Sequence, residues 1–268
     1  MPSPADPVAF ELLGLAVRWY AIFILTGIVA ALLLIQALAR RRGLDPEFPL
    51  DAAPWAVFAG VVGARLTYVL LRADYFAAHP LAALNIRLGG LSIHGALIGG
   101  ALVVWWWCRR RGQSLLVWAD LMVAGVALGQ AIGRWGNWAN QEAFGRPTDL
   151  PWGLAIDPAN RPPVFSDSPT FHPTFLYESL FNLVNAIVLS WVAITIPRRA
   201  WLRPGDGLAL YCVTYGLGRL IVEGLRTDSL YVGPLPGPVW ASGAFILLGL
   251  ALMVIARRGN AVVGSTAD

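Results

Sequence analysis

The stretch RWYAIFILTGIVAALLLIQALARRR, residues 18–42, decides the fold. Between Arg18 and Arg40 it carries no charged side chain. The hydrocarbon core of a bilayer takes roughly 20 apolar residues in helical form. Residues 18–39 meet that length, and Arg40, Arg41 and Arg42 follow at once. Arginine accumulates at the cytoplasmic ends of membrane helices, so this segment reads as a span running from outside to inside. The preceding MPSPADPVAF lacks the positive region that opens a signal peptide, and the span is expected to be retained.

The rest of the chain repeats the pattern. Of 268 residues, 57% are hydrophobic and 13% charged, about half the charge of a soluble domain. Hydrophobic segments recur at roughly 54–72, 91–108, 117–134, 175–196, 207–224 and 237–256. The expected fold is all-α: one polytopic membrane bundle of seven transmembrane helices, a single integral domain over 1–268. Arg109–Arg111 follow the third segment, Arg198, Arg199 and Arg203 the fifth, and Arg257 and Arg258 the seventh. With seven spans, only an outside N-terminus and a cytoplasmic C-terminus put every cluster inside. The outer face then carries roughly 73–90, 225–236 and the longer 135–174. The last holds seven prolines but also Trp152, Leu154, Ile156, Val164 and Phe165, which predicts a small ordered cap between spans four and five.

Several function classes fall away. No lysine occurs, so all 20 basic residues are arginine. Base composition can give that bias, and guanidinium also suits bidentate phosphate binding. No basic stripe lies on a polar element, so nucleic acid is not an expected partner. Cys108 and Cys212 sit inside apolar runs, as small core residues do. His79, His94 and His172 have no metal-ligand spacing, and no GxSxG elbow or P-loop in strand–turn–helix context occurs.

The polar residues at membrane depth are concentrated. Arg65, His94, Arg134, Glu178, Tyr215, Arg219, Glu223 and Arg226 all fall toward the outer half, with Asp120 the exception near the inner start of the fourth segment. One charge at the centre of a helix costs on the order of 3 kcal/mol on insertion scales. Such charges must face each other or a wet cavity, and one polar chamber open to the outer leaflet is the simplest arrangement. Tyr215, Arg219 and Glu223 follow at i, i+4 and i+8, and Arg226 comes three later, so one helix face is expected to carry them. Arg219–Glu223 is then either a self-neutralising pair or a brace that aims Arg219 at an anion. His94 can hydrogen-bond across helices or take a proton near neutral pH. An anion transporter or channel shares these features but needs a polar track through the inner half, where Asp120 is the one clear candidate.

Five segments together resemble a known family. GRWGNWANQEAFG (133–145) is similar to the GRxGNFxNxExxG signature of the bacterial prolipoprotein diacylglyceryl transferases. RWY (18–20), GGLSIHGALIGG (89–100), HPTFLYE (172–178) and YGLGRLIVEGLRTD (215–228) resemble that family's other motifs in the same order. The likeness runs from about residue 18 to 256. Trp138, Ala139, Gln141, Ala96 and Thr227 depart from the usual residues, none at a charged motif position.

The resemblance implies a seven-span inner-membrane enzyme without metal or cofactor. Its reaction moves a diacylglyceryl group from phosphatidylglycerol to the lipobox cysteine thiol of an exported prolipoprotein, releasing glycerol phosphate. A free thiol has a pKa of about 8.5 and must be deprotonated, and the leaving phosphate gains charge as the carbon–oxygen bond breaks. Fixed guanidiniums suit that charge. Arg134 is expected to bind phosphate, Arg219 to stabilise the leaving group, and His94 to be the best-placed base by pKa. Tyr20, Tyr215, Glu178, Glu223, Arg226 and Gly145 complete the expected substrate-binding set. Asn137, Asn140 and Glu142 either hydrogen-bond the head group or brace Arg134.

Overall fold

Each long apolar segment folds as a helix in the computed structural model, which describes residues 1–4, 6–85, 89–229 and 231–258. The expected outer stretches 73–90 and 225–236 therefore include residues 86–88 and 230, which lie outside the described set, as does the side chain of Arg258. A hairpin of β1 (Val8–Leu12) and β2 (Leu15–Arg18) leads into α1 (Trp19–Arg41). It turns at Leu13 and Gly14, both at positive φ, and apolar–polar periodicity did not reveal it. Next come α2 (Phe48–Leu71), the short α3 (Ala73–Ala78), α4 (Ile93–Arg110) and α5 (Leu115–Asn140). After β3 (Leu154–Ala155) and β4 (Thr170–Phe171) follow α6 (Thr174–Thr195) and α7 (Asp206–Glu223). A small β5–β6 hairpin (Tyr231–Val232, Leu235–Pro236) precedes α8 (Gly237–Arg258).

Seven helices of 18 residues or more thus stand among the described residues, at the seven predicted places. Five of them, α1, α2, α5, α6 and α8, are long and apolar enough to cross a membrane. The other two are 18 residues each, about 27 Å at 1.5 Å per residue. In α7 it is Asp206, Arg219 and Glu223 that dilute the apolar character. Two boundaries differ from expectation. α2 begins at Phe48 rather than 54, because Pro49 is pre-organised for a first helical turn. α5 continues six residues past 134, carrying Trp135 and Trp138 onto Phe175 with ring centroids 5.4 and 6.4 Å apart. That packing outweighs the weak helix propensities of Gly136 and Asn137.

The chain divides into two compact units, residues 1–42 with 119–268, and residues 43–118. In the second unit, α2 and α4 pack backbone to backbone. A Cβ on Gly63 would sit 2.4 Å from Gly95 O, and one on Gly99 2.2 Å from Ala59 O, a contact of the kind small residues permit between membrane helices. Arg65 does not extend a polar chamber as expected. Its Nε, Nη1 and Nη2 donate to the carbonyls of Ala83, Gly89, Gly90, Ala82 and Asn85 at 2.6–3.0 Å. All five guanidinium hydrogens close the α3–α4 connection. His94 occupies the first turn of α4.

In the first unit, α1 meets α5 where Gly27 faces Gly129, whose carbonyl lies 2.9 Å from a built Cβ. α6 packs on α7, and α7 on α8. Ser179 ties α6 to α5, donating to Ala131 O at 2.8 Å and accepting from Trp135 Nε1 at 3.2 Å. Asp120 is fully buried and accepts the Gly205 and Leu208 backbone N–H groups at 2.7 and 2.9 Å. It satisfies orphan donors at the start of α7. The one inner residue that a transport track called for is thus spent on a helix terminus. Residues 141–173 form a small folded piece in which β3 pairs with β4, and its Phe144, Leu154, Ile156 and Phe171 make a buried cluster with Phe175 of α6.

Candidate functional site

Gly133–Gly145 lies on the last two turns of α5 and the bend after it. Gly136 has no side chain because Tyr20, in the first turn of α1, lies over it; a Cβ there would meet the Tyr20 ring at 2.6 Å. Arg134 is thereby directed away from α1 and toward α6, where its Nη2 pairs with Glu178 Oε2 at 2.5 Å. Its Nη1 approaches Asn137 Oδ1 at 3.4 Å. Asn137 Nδ2 in turn donates to Glu142 Oε1 at 2.9 Å, and Asn140 Nδ2 to the same oxygen at 3.3 Å. Asn137 thereby links Arg134 to Glu142.

The bend itself is held in an uncommon conformation. Gln141 and Ala143, on either side of Glu142, both have positive φ, 52° and 57°, a region that costs ordinary residues of order 1–2 kcal/mol. The surroundings over-determine it. Gln141 Oε1 accepts from Asp157 N at 2.8 Å, its Nε2 donates to Asp157 Oδ2 at 2.7 Å, and Thr174 Oγ1 donates to Ala143 O. Two strained residues thus aim Glu142 back at Asn137 and Asn140.

Glu178 is the hub. Its other oxygen, Oε1, lies 3.6 Å from Arg219 Nη1 and 3.9 Å from Arg226 Nη1. Arg219 Nη2 also pairs with Glu223 Oε2 at 2.6 Å one turn along α7, and Ser229 Oγ donates to Glu223 Oε1 at 2.6 Å. Arg226 does not share the helix face, because α7 ends at Glu223. It reaches the cluster from the following turn, held bidentately by Asp228 at 2.7 and 2.9 Å. That turn is pinned by the bridge between Gly145 and Arg226, with Arg146 N donating to Leu225 O at 2.8 Å. Gly145 is required for close approach: a Cβ would lie 2.8 Å from His172 Cβ and 3.0 Å from Leu225 O.

Glu178 and Glu223 are almost wholly buried, and the three guanidiniums are 12–24% exposed. Three cations therefore share two buried carboxylates, while the third, Asp228, is half exposed and so more screened by water. Arg219 Nη1 is buried without a hydrogen-bond partner among the described residues, and so is Asn140 Oδ1. One is a cationic donor and the other a neutral acceptor, the pair that a phosphate and a hydroxyl would satisfy. Tyr215 stands one turn before Arg219, stacked on Tyr211 at 5.6 Å and edge-on to Phe245 at 5.5 Å. His172 and Trp152 both contact the Tyr177 hydroxyl, at 3.2 and 3.0 Å. His94 belongs to the second unit.

Sequence reasoning missed Asp228 and Ser229 as partners and Glu178 as the point where three arginines meet. The signals for Asp228 were its place two residues after Arg226 and at the end of the motif YGLGRLIVEGLRTD.

The long apolar helices define a multi-pass membrane protein. A model of the prolipoprotein diacylglyceryl transferase family matches residues 7–255, and the chain belongs to that family. It is 48% identical over 244 residues to a phosphatidylglycerol–prolipoprotein diacylglyceryl transferase of Gloeobacter violaceus, covering 91% of this chain and 90% of that protein. The protein of the same name from Parasynechococcus marenigrum is 44% identical over 262 residues, 97% of this chain and 94% of the relative. That from Chloroflexus aggregans is 44% identical over 242 residues, 85% and 79% of the two chains.

Proposed function

We propose that this chain transfers the diacylglyceryl group of phosphatidylglycerol to the lipobox cysteine of an exported prolipoprotein. The observation that carries the reading is the buried Nη1 of Arg219, which faces Glu178 at 3.6 Å but makes no hydrogen bond among the described residues, beside Arg134 and Arg226, in a chain whose relatives bear that enzyme's name. The cysteine sulfur attacks the glyceryl carbon that bears the phosphate ester. A carbon–sulfur bond forms, the carbon–oxygen bond breaks, and the electron pair stays on the phosphate oxygen. The phosphodiester monoanion becomes a phosphate monoester with a second negative charge, and the thiol proton passes to a base.

Each step has a residue. Arg134 binds the lipid phosphate, and Arg219 turns the Nη1 N–H that lacks a hydrogen bond toward the oxygen that gains charge. Fixed donors in a poorly hydrated site stabilise such charge without reorganisation. Glu178, Glu223 and Arg226 act on the lipid through these two arginines. Asn140 Oδ1 accepts a glycerol hydroxyl, Asn137 and Glu142 keep Arg134 in place, and Gly145 lets the wall close. Tyr20 and Tyr215 flank the head group. His94 takes the thiol proton; its assignment rests on imidazole chemistry and its motif, GGLSIHGALIGG.

The chain acts as one integral domain of the inner membrane with seven spans, adding α4 and α7 to the five strongly apolar helices. The N-terminus is outside and the C-terminus cytoplasmic, which puts every arginine cluster on the inner side and residues 135–174 on the outer face as a cap. The exported cysteine and the lipid head group meet there.

The test is transfer itself. Purified full chain, phosphatidylglycerol labelled in its acyl chains and a lipobox peptide should yield labelled peptide and free glycerol phosphate. A Cys→Ser peptide should stay unlabelled. No label on the cysteine peptide, together with solute uptake by vesicles containing the protein, would overturn the reading in favour of transport.

A further inference from the structure

A cavity of about 310 Å3 adjoins the arginine cluster in the first unit. Its polar wall comprises Arg146, Glu223, Arg226, Thr227, Ser229 and Tyr231. Glu223 and Arg226 belong to both the cluster and the cavity, so the two are contiguous. A water takes about 30 Å3 of liquid volume, so the cavity holds roughly ten, enough for a small polar molecule and far too few for a diacyl lipid.

The charges of this wall are unequal. Arg226 is held bidentately by Asp228, and Glu223 is taken by Arg219 and Ser229. Arg146 uses its backbone N–H on Leu225 O, and no carboxylate pairs with its exposed guanidinium among the described residues. The cavity thus offers one uncompensated guanidinium, with the hydroxyls of Thr227 and Tyr231 on the same wall.

We infer that this cavity receives the glycerol phosphate that leaves in the reaction, with Arg146 as the group that draws it out of the arginine cluster. The inference rests on the proposed transfer reaction. The lipid's phosphodiester carries one negative charge. The monoester product carries nearly two at pH 7, its second pKa being about 6. A cation not engaged by any carboxylate therefore favours the product over the substrate. The hydroxyls match a diol, and the volume suits a small polar molecule rather than a whole diacyl lipid.

The experiment measures binding of radiolabelled glycerol phosphate to the purified full chain in detergent, beside its inhibition of transfer. Arg146→Gln should weaken glycerol phosphate binding about tenfold, the worth of one charge-assisted hydrogen bond, and Tyr231→Phe by less. Both should leave KM for phosphatidylglycerol within about twofold. Unchanged glycerol phosphate affinity in Arg146→Gln and Tyr231→Phe overturns the inference. So does a KM for phosphatidylglycerol that rises in step with the lost affinity, which would give Arg146 to the intact head group. Wild-type protein that transfers lipid yet binds no glycerol phosphate also overturns it while leaving the proposed reaction intact. Wild-type protein that binds glycerol phosphate through Arg146 but transfers no lipid overturns the reaction and keeps the pocket.

Discussion

Glu178 and Arg134 are joined at 2.5 Å across the α5–α6 contact, and the second oxygen of the same carboxylate faces Arg219 and Arg226. One buried anion therefore sets the direction of three guanidiniums that come from three different places in the chain. Ser179, the next residue on α6, locks that helix to α5 through Ala131 and Trp135.

Replacing Glu178 by Gln preserves volume and removes the charge the arginines share. Breaking a buried pair by neutralising one partner costs about 3–5 kcal/mol. Lipid transfer by the variant should fall at least about 100-fold, measured as label on the lipobox peptide per folded protein. Activity above a tenth of wild type would remove Glu178 from its central place.

Arg134→Ala and Arg219→Ala should each abolish measurable transfer, a loss of about 100- to 1,000-fold or more, while the protein still inserts. Lysine should not restore it at either position, because a point charge cannot span Glu178 and a second partner as a planar fork does. Full activity in any of the four variants would sink the assigned roles.

His94→Asn should slow transfer by about 100- to 10,000-fold if His94 takes the thiol proton. The residual activity should then rise with pH, as thiolate forms on the substrate without a base. A loss under about tenfold with an unchanged pH profile would reduce His94 to a structural hydrogen bond.

Gly145→Ala places a Cβ 2.8 Å from His172 Cβ and 3.1 Å from Thr174 Cγ2. Overpacking of this kind costs about 1–3 kcal/mol. The thermal midpoint in detergent should fall by several degrees, and transfer should fall with it as the Arg226 turn shifts. An unchanged midpoint would show that the wall relaxes freely there.

Asp120→Asn keeps one acceptor for two backbone donors at the start of α7. Leaving a buried donor unsatisfied costs about 1–3 kcal/mol. Stability should drop while transfer per folded molecule stays near wild type. A selective loss of activity without loss of stability would give Asp120 a functional role instead.

Much of the site was legible because its residues are chemically conspicuous. Arg134, Arg219 and Glu223 stand out in apolar helices, where an unpaired charge is expensive. Asp228 and Ser229 did not stand out, since polar residues in a loop carry no such penalty. Arg65 stood out equally and misled: its charge is absorbed by five backbone carbonyls, a use that depends on how the chain between α3 and α4 returns. Arg226 fitted a helical spacing from Glu223, yet α7 stops at Glu223, where that spacing begins.

The sequence by itself determined where helices form and that their charges must be sheltered, because both follow from local apolarity and the cost of burying charge. It also determined the family, through five motifs in fixed order. Only the tertiary structure decided which charge meets which. Glu178 lies 44 residues from Arg134 and 41 from Arg219 in the chain, and no local rule couples positions so far apart. The packing of α6 against α5 and α7 does, since a carboxylate buried between two helices takes whichever cations those helices bring.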